Sequence, residues 1–274
     1  MNRISLVAFS LFAFLFLSPP ADAEKEPIWE WDSSTAISHV AISGDSRNIS
    51  ATYASTVSLW YNDTSIPQKN KTVGSGITSM AMSSDGKSVL IGEELDYTVT
   101  LYEEGTKIWE TNDFFTVADI DISPDGNYIA VADWQRVLFF TRDSNEAVWS
   151  YYHEDEYMTT VSISPDGLFI ATGTQDGKVY VYPASGDTSS SWAHDNPADG
   201  KIAGIDFSAD SSRFIIGTET GRVYVYETEE GTQLMDLAYP EGIACVSGSS
   251  DSDYYAFGLC FLGTWYSTCR RNRR

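Results

Sequence analysis

The chain consists of short apolar stretches separated by residues that favour turns. Residues 162–182, SISPDGLFIATGTQDGKVYVY, show this pattern most clearly. A first stretch ends at the SPDG turn of residues 164–167, a second ends at the DG turn of residues 176–177, and a third follows. Proline presets φ, aspartate hydrogen-bonds back to the turn, and glycine takes the positive φ that ends it. The segment therefore predicts three antiparallel strands joined by two hairpins.

The same unit recurs along the chain at a nearly constant spacing. Its turn aspartate recurs after 40, 40, 41 and 44 residues, as Asp45, Asp85, Asp125, Asp166 and Asp210. Its last strand recurs as TVSLWY, TVTLYE, RVLFFT, KVYVYP and RVYVYE. Repeats of roughly 40–45 residues with four short strands each are typical of propeller blades. We therefore predict an all-β fold over residues 24–258, a β-propeller of four-stranded blades with five clear blades and a divergent or incomplete sixth.

Many of the predicted strands are apolar on both faces. Residues 179–182 form a continuous apolar run, which a sheet exposed on one side would not carry. Blades that stack face to face bury both sides of each sheet. Trp109, Trp149 and Trp192 occupy similar places on the predicted fourth strands. We expect them to pack between blades rather than to bind a ligand.

The two ends of the repeat region leave the closure of the ring open. A sixth unit starts at Ile243, but residues 259–274 lack the expected turn and aromatic strand and are predicted to be an irregular tail that contains cysteine and arginine. All three cysteines lie in this last part, and an odd number cannot pair completely within one chain. Either the segment Ile28–Asp32 closes a divergent sixth blade as its outer strand, or the C-terminal part is incomplete or altered.

The first 23 residues have the parts of a secretory signal. Arg3 precedes an apolar core from Ile4 to Leu17, and the small-residue sequence Ala21-Asp22-Ala23 follows. The core is shorter than the ~20 apolar residues of a transmembrane helix. We expect cleavage after Ala23, export to the extracellular space or the cell envelope, and no membrane insertion of the mature protein. An uncleaved anchor is the alternative.

The chain is strongly acidic. It has 17 basic and 39 acidic residues, a formal net charge of −22. This charge argues against nucleic acid as a partner, because nucleic-acid binding depends on neutralising phosphates. Two explanations remain: the acidity serves solubility, or it attracts cations or a basic protein or peptide.

The repeats resemble WD-repeat propellers and the related pyrroloquinoline-quinone-like repeats. In the WD pattern a Gly-His pair precedes the inner strand, and here Tyr152-His153 and Ala193-His194 lie near that place. A Trp-Asp pair ends the third strand of the pattern, and here the aromatic is kept without the aspartate, for example at Trp60-Tyr61. The resemblance implies the blade geometry, but it does not carry over the regular His–Asp network. Quinoprotein propellers also have adjacent cysteines, which are absent here.

No motif points to catalysis or to a bound cofactor. The sequence His-Glu-x-x-His of zinc enzymes and the Gly-x-Ser-x-Gly elbow are both absent. The loops on one rim combine acidic and aromatic residues, as a protein-binding face does. The predicted rim residues are Asp113, Phe114, Phe115, Trp134, Glu154, Asp155, Glu156, Tyr157, Asp195 and Asp199. Clustered carboxylates also suit calcium.

These features predict a non-catalytic exported scaffold that binds a protein or peptide through its rim, and the acidic charge favours a basic partner. The alternatives are a secreted glycan-active hydrolase or lyase that uses rim carboxylates, and an envelope assembly or structural protein. Three sequons, at Asn48, Asn62 and Asn70, are predicted glycosylation sites in an exported chain.

Overall fold

The computed structural model describes residues 2–6, 29–33, 35–95, 97–187, 192–195, 199–249, 252, 254–261 and 264–271. Two strands precede the repeats, β1 (Asn2–Leu6) and β2 (Trp29–Ser33). Blade one contains β3 (Ile37–Ile42), β4 (Asn48–Tyr53), β5 (Thr56–Tyr61) and β6 (Lys69–Thr72). Blade two contains β7 (Ile77–Met82), β8 (Ser88–Glu93), β9 (Val99–Glu103) and β10 (Thr106–Thr111). Blade three contains β11 (Val117–Ile122), β12 (Tyr128–Asp133), β13 (Arg136–Thr141) and β14 (Trp149–Tyr152).

The remaining strands form three further blades. Blade four contains β15 (Met158–Ile163), β16 (Phe169–Thr174), β17 (Lys178–Pro183) and β18 (Trp192–Asp195). Blade five contains β19 (Ile202–Phe207), β20 (Arg213–Thr218), β21 (Arg222–Glu227) and β22 (Gln233–Ala238). Blade six contains β23 (Gly242–Gly248), β24 (Tyr254–Phe261) and β25 (Thr264–Arg271). Within each blade we call the strands a to d in chain order.

Each blade is an antiparallel sheet whose neighbouring strands are consecutive in the chain. The a strands of successive blades contact one another, β3 with β7, β7 with β11, β11 with β15, β15 with β19, and β19 with β23. The a strands therefore line a common axis, and the blades radiate from it. Strand b is the most deeply buried, as the unbroken burial of Ser88–Glu93 shows. The all-β propeller predicted from the repeats is confirmed.

The turn between strands a and b repeats one hydrogen-bond pattern. Ser164 Oγ donates to Asp166 Oδ1 over 2.6 Å, and Leu168 N donates to the same oxygen over 3.0 Å. The residue after the aspartate has a positive φ, which is 71° at Gly167. In blade one Ser46 takes this place with a φ of 60°. A left-handed conformation costs a non-glycine residue roughly 1–2 kcal/mol.

We therefore expect Ser46→Gly to raise the free energy of unfolding. Relief of the left-handed strain exceeds the extra backbone entropy of glycine, so the gain is up to about 1 kcal/mol. Denaturant titration of the full chain measures it. Ser211→Gly is the matched control: Ser211 also has a φ of 60°, but its Oγ accepts a hydrogen bond from Asp166 N, so its gain is smaller. Equal gains at both positions contradict the strain argument.

Tryptophans on the d strands of blades two, three and four connect each of these blades to the next, as predicted for Trp109, Trp149 and Trp192. Each indole packs on apolar side chains, and its Nε1 donates to the backbone oxygen that directly follows strand c of the next blade. The acceptors are Arg142 O at 2.6 Å from Trp109, Ala184 O at 2.9 Å from Trp149, and Thr228 O at 2.8 Å from Trp192. We call this arrangement the tryptophan contact.

Buried carboxylates connect the a strands near the axis. Asp121 accepts hydrogen bonds from Ile122 N on its own strand and from Ile163 N of blade four, both over 2.8 Å. Asp206 accepts one from Gly248 N of blade six over 2.7 Å. Burial raises the pKa of both carboxyl groups, to about 7 for Asp121, where Asp206 and Asp119 add repulsion. The a strands are thus joined between blades by side chains as well as by packing.

The N-terminal segment corrects one prediction. β2 does not form the outer strand of blade six in the described part of the chain; it pairs antiparallel with β1. Its packing role is nevertheless that of a d strand, because Trp29 Nε1 donates to Asn62 O of blade one over 2.8 Å. Trp29 and Trp31 also pack against the fully buried Trp60. β2 therefore makes the tryptophan contact with blade one on the face opposite to blade two.

The C-terminal segment corrects a second prediction. The part expected to be irregular, residues 259–274, contains the end of β24 and all of β25, and the two strands pair from Tyr254 with Arg271 to Phe261 with Thr264. The sequence TWYSTC lacks the usual turn but is rich in aromatic and β-branched residues, which favour strands. Residues 272–274 lie outside the described residues. So does most of the predicted signal, residues 1–23, which stays a prediction.

Two smaller findings complete the fold. No helix among the described residues is long and apolar enough to cross a membrane. Cys245 carries an exposed free thiol on β23.

Candidate functional site at the loop rim

The loops from strand d to strand a and from strand b to strand c meet at one edge of the blades. Exposed aromatic rings on the loops around blade three include Phe115 by 70%, Trp134 by 44% and Tyr157 by 42%. Trp134 and Tyr157 meet edge to face with ring centroids 5.2 Å apart, and Trp134 O accepts a hydrogen bond from Met158 N. The Arg136 guanidinium lies 5.3 Å from the centre of the Phe115 ring. We call Phe115, Trp134 and Tyr157 the aromatic patch.

Exposed carboxylates surround the aromatic patch. Asp113 lies in the loop that carries Phe115, and Glu154 and Asp155 lie in the loop that carries Tyr157. Asp195, at the end of β18, is also exposed. Asp155 has a φ of 62°, which turns the loop sharply before Tyr157. Seven of the ten predicted rim residues are therefore exposed on the loops between blades two and five.

The other three predicted rim residues are not surface groups. Phe114 is buried, with 8% exposure, in the core between blades two and three, and meets Phe140 edge to face. An aromatic pair in sequence alternates between inside and outside, so only Phe115 points outward. Glu156 and Asp199 are held in hydrogen-bond networks below the surface. The prediction that these three form part of an exposed rim was wrong.

The first network joins the loop before blade four to strand c of that blade. His153 Nε2 lies 2.6 Å from the Tyr182 hydroxyl, and His153 Nδ1 lies 3.4 Å from Glu156 Oε2. Glu156 also accepts from the Tyr180 hydroxyl over 2.7 Å and from Lys178 Nζ over 2.5 Å. Burial lowers the pKa of His153, although Glu156 partly offsets it, so the imidazole is neutral at neutral pH.

The second network repeats this arrangement one blade later. His194 Nδ1 lies 2.8 Å from the Tyr226 hydroxyl, and His194 Nε2 lies 3.4 Å from Asp199 Oδ2. Asp199 also accepts from the Tyr224 hydroxyl over 3.0 Å. Both histidines are therefore held by an acid from their own loop and a tyrosine from strand c. The resemblance to WD repeats did not predict these networks. In the WD pattern the acid ends strand c, whereas here it follows the histidine along the chain.

A third fixed point is Asp133, the fully buried last residue of β12. It accepts hydrogen bonds from Phe115 N and Thr116 N over 3.0 and 2.8 Å, and Arg136 bonds to its other oxygen. The carboxylate thus ties the loop of blades two and three to the turn that carries Trp134. This residue orients the aromatic patch without lying on it.

The structure bears on two further predictions, calcium binding and glycosylation. Among the described residues, no group of three or more His, Cys, Asp or Glu side chains is placed to hold a metal ion. The calcium prediction therefore gains no site there. Asn48 and Asn62 donate their side-chain amides to the backbone oxygens of Asp85 and Ser46. Asn70 is exposed on β6, so it is the most accessible of the three predicted glycosylation sites.

Comparisons with known proteins identify the class. The family model described as "WD domain, G-beta repeat" matches residues 146–182, from strand d of blade three to strand c of blade four. Human echinoderm microtubule-associated protein-like 3 is 33% identical over 72 residues, which are 26% of this chain and 8% of that protein. The crystal structure of the RRP9 WD40 repeats superposes with a TM-score of 0.72 at 15% identity, over 84% of this chain and 75% of that one.

The radial stack of six sheets makes this chain a β-propeller. One of its units matches the WD-repeat family model, and its fold is similar to that of a WD40 propeller. Such propellers are in general non-enzymatic scaffolds that bind protein partners. The match to the human protein covers less than a tenth of that protein's length, and the structural likeness at 15% identity concerns the fold.

Proposed function

We propose that this protein is an exported, non-catalytic scaffold that binds a basic protein or peptide through its loop rim. The observation that carries the proposal is the aromatic patch, three exposed rings on adjacent loops with exposed carboxylates beside them. Aromatic side chains dominate the binding energy of protein interfaces because they bury a large area at a low entropic cost. Neighbouring exposed rings of this kind often mark an interaction site on a protein surface.

The charge of the rim supports the choice of a basic partner. Asp113, Glu154 and Asp155 are exposed beside the rings, and the whole chain has a formal charge of −22. Lysine and arginine side chains bind to such a surface both through carboxylates and over ring faces. Long-range attraction between opposite charges also accelerates association at low salt.

The patch is rigid enough to act as a preformed surface. The Asp133 hydrogen bonds fix the loop before Phe115, and the His153 network fixes the loop before Tyr157. Loops ordered in this way lose little entropy when a partner binds. Export is supported by the signal-like residues 1–23 and by the three sequons.

Affinity purification of the tagged full chain, followed by mass spectrometry, tests the proposal. We expect a basic protein or peptide among the captured partners and at least tenfold weaker binding by Trp134→Ala/Tyr157→Ala. Charge reversal at Glu154 and Asp155 to lysine should also weaken binding and reduce its salt dependence. The matched control reverses Glu229 and Glu230, which are exposed in the turn of blade five at the opposite edge. Equal loss in the control variant contradicts a rim site.

A further inference from the structure

Strand d of blade one differs from those of blades two, three and four at the position of the tryptophan contact; blade five has Met235 there, which is also apolar. Trp109, Trp149 and Trp192 pair in register with Leu101, Phe139 and Val181 of their own c strands. The corresponding residue of blade one, opposite Leu59, is Lys69. Lys69 Nζ donates to Glu104 O, the backbone oxygen that directly follows strand c of blade two. Lys69 therefore keeps the hydrogen bond of the tryptophan contact but not the volume of the ring.

Strand b of blade one also differs from the equivalent strands of blades two to five, at the residue that pairs with Leu59. Ser50 pairs with Leu59, whereas the equivalent residues of blades two to five are all apolar, namely Leu90, Ala130, Ala171 and Ile215. Ser50 is fully buried, and its Oγ has no hydrogen-bond partner among the described residues. A buried hydroxyl without a partner costs roughly 1–3 kcal/mol. Two polar residues, both opposite Leu59, therefore replace apolar ones on the face of blade one that packs against blade two.

The result is a pocket between blades one and two. The pocket is narrow and opens to solvent at its mouth. The wall is apolar, formed by Val57, Leu59, Val89, Ile91 and Tyr102, with Ser50 among these residues. Lys69, Lys71 and Lys87 lie at the mouth, and Lys71 Nζ is 5.7 Å from the centre of the Tyr102 ring.

The charge of this pocket is opposite to that of the protein. Three of the 17 basic residues of the chain line it, and its described lining includes no aspartate or glutamate; outside the lining, Lys87 Nζ lies 3.6 Å from Asp85 Oδ2. An apolar cleft with a few placed polar groups is the usual form of a small-molecule site. We infer that this pocket binds a small aromatic carboxylate. The ring takes the place that an indole fills in blades two, three and four, the lysines pair with the carboxylate, and Ser50 Oγ gains a polar partner.

Calorimetric titration of the full chain with indole-3-propionate tests this inference. We expect saturable binding of one molecule per chain. Tryptamine has the same ring with a cationic chain, and it should bind at least tenfold more weakly because the lysines repel it. Equal affinity for the two compounds overturns the inference.

Two sets of variants place the binding site. Lys69→Trp puts an indole into the pocket, as in blades two, three and four, and should abolish binding of indole-3-propionate. Lys201→Trp is the control, because Lys201 is an exposed lysine in blade five, and it should not change the binding. Lys71→Glu/Lys87→Glu changes only exposed side chains and should weaken binding at least tenfold without altering the fold. Full binding by Lys69→Trp or by the double variant contradicts the pocket. These variants lie outside the loop rim, so the result does not depend on the proposed scaffold function.

Discussion

Trp149→Ala is expected to lower the free energy of unfolding by about 3 kcal/mol. The Trp149 indole stacks on Phe139 with centroids 5.3 Å apart and packs against Tyr151 and Tyr182. Its Nε1 also donates to Ala184 O of blade four. Truncation of a buried large aromatic costs roughly 3–5 kcal/mol, and the value here lies at the lower end because Trp149 is partly exposed. Denaturant titration measures the change, with unfolding monitored by far-ultraviolet circular dichroism so that the signal does not depend on the removed tryptophan.

Trp149→Phe separates packing from hydrogen bonding at the same position. It keeps a ring on Phe139 but removes the donor to Ala184 O, so we expect a loss of about 1–2 kcal/mol. Tyr152→Ala is the surface control, because the Tyr152 side chain is 64% exposed on the same strand, and its effect should stay below about 0.5 kcal/mol. Equal losses for Trp149→Ala and Tyr152→Ala contradict a structural role of the tryptophan contact.

The second large effect is a loss of stability as the pH rises from about 4 to 7. The pKa of Asp121 is raised to about 7 in the native protein, whereas it is about 3.9 in an unfolded chain. Between these values the native state binds a proton that the unfolded state does not bind. The free energy of unfolding therefore falls as the pH rises, by up to about 1.4 kcal/mol per pH unit, and levels off above pH 7.

Asp121→Asn tests the assignment of this pH dependence. Asparagine keeps one acceptor for the backbone donors Ile122 N and Ile163 N and does not ionise. We expect the variant to be less stable than the unmodified protein at pH 5 but closer to it, or above it, at pH 8. Thermal or denaturant unfolding across this range measures the slope. An unchanged slope in Asp121→Asn assigns the pH dependence to other groups. The raised pKa values of Asp119 and Asp206 contribute slopes of the same sign.

The turn aspartates act in a different pH range and in the opposite direction. The pKa of Asp210 is lowered to about 2: burial opposes the shift, but hydrogen bonds from Ser208 and Ser212 outweigh it. Such a group stabilises the native state above the unfolded pKa and loses this effect as the pH falls through its native pKa. Together, the two sets of carboxylates place the stability maximum on the acidic side of neutrality.

The repeats made the fold accessible from the sequence, because the turn aspartate and the c strand recur in nearly every unit. Blade closure was not accessible in the same way. Strand β2 has the alternation of a d strand, but which sheet edge it pairs with depends on residues distant in sequence. Strand β25 was missed because it lacks the usual turn, and the prediction depended more on turns than on strand-forming residues.

The loop rim was predictable in outline but not in detail. The sequence places Phe114 and Phe115 on the same loop, yet it does not show which ring turns inward. The buried acids Glu156 and Asp199 were not distinguishable from exposed ones, because their tyrosine partners lie in the next blade. Lys69 is different: an alignment of the repeats would have shown a lysine where three other units have tryptophan.

The tryptophan contacts connect blades two to five, each to the next, so this part of the array behaves as a chain of coupled units. Such an array separates first where two units hold each other least strongly. Between blades one and two the indole is missing, and Lys69 provides a single hydrogen bond in its place. Blades one and two are therefore held together mainly near the axis, by the contacts between β3 and β7 and by the hydrogen bond from Gly44 N to Ser84 O.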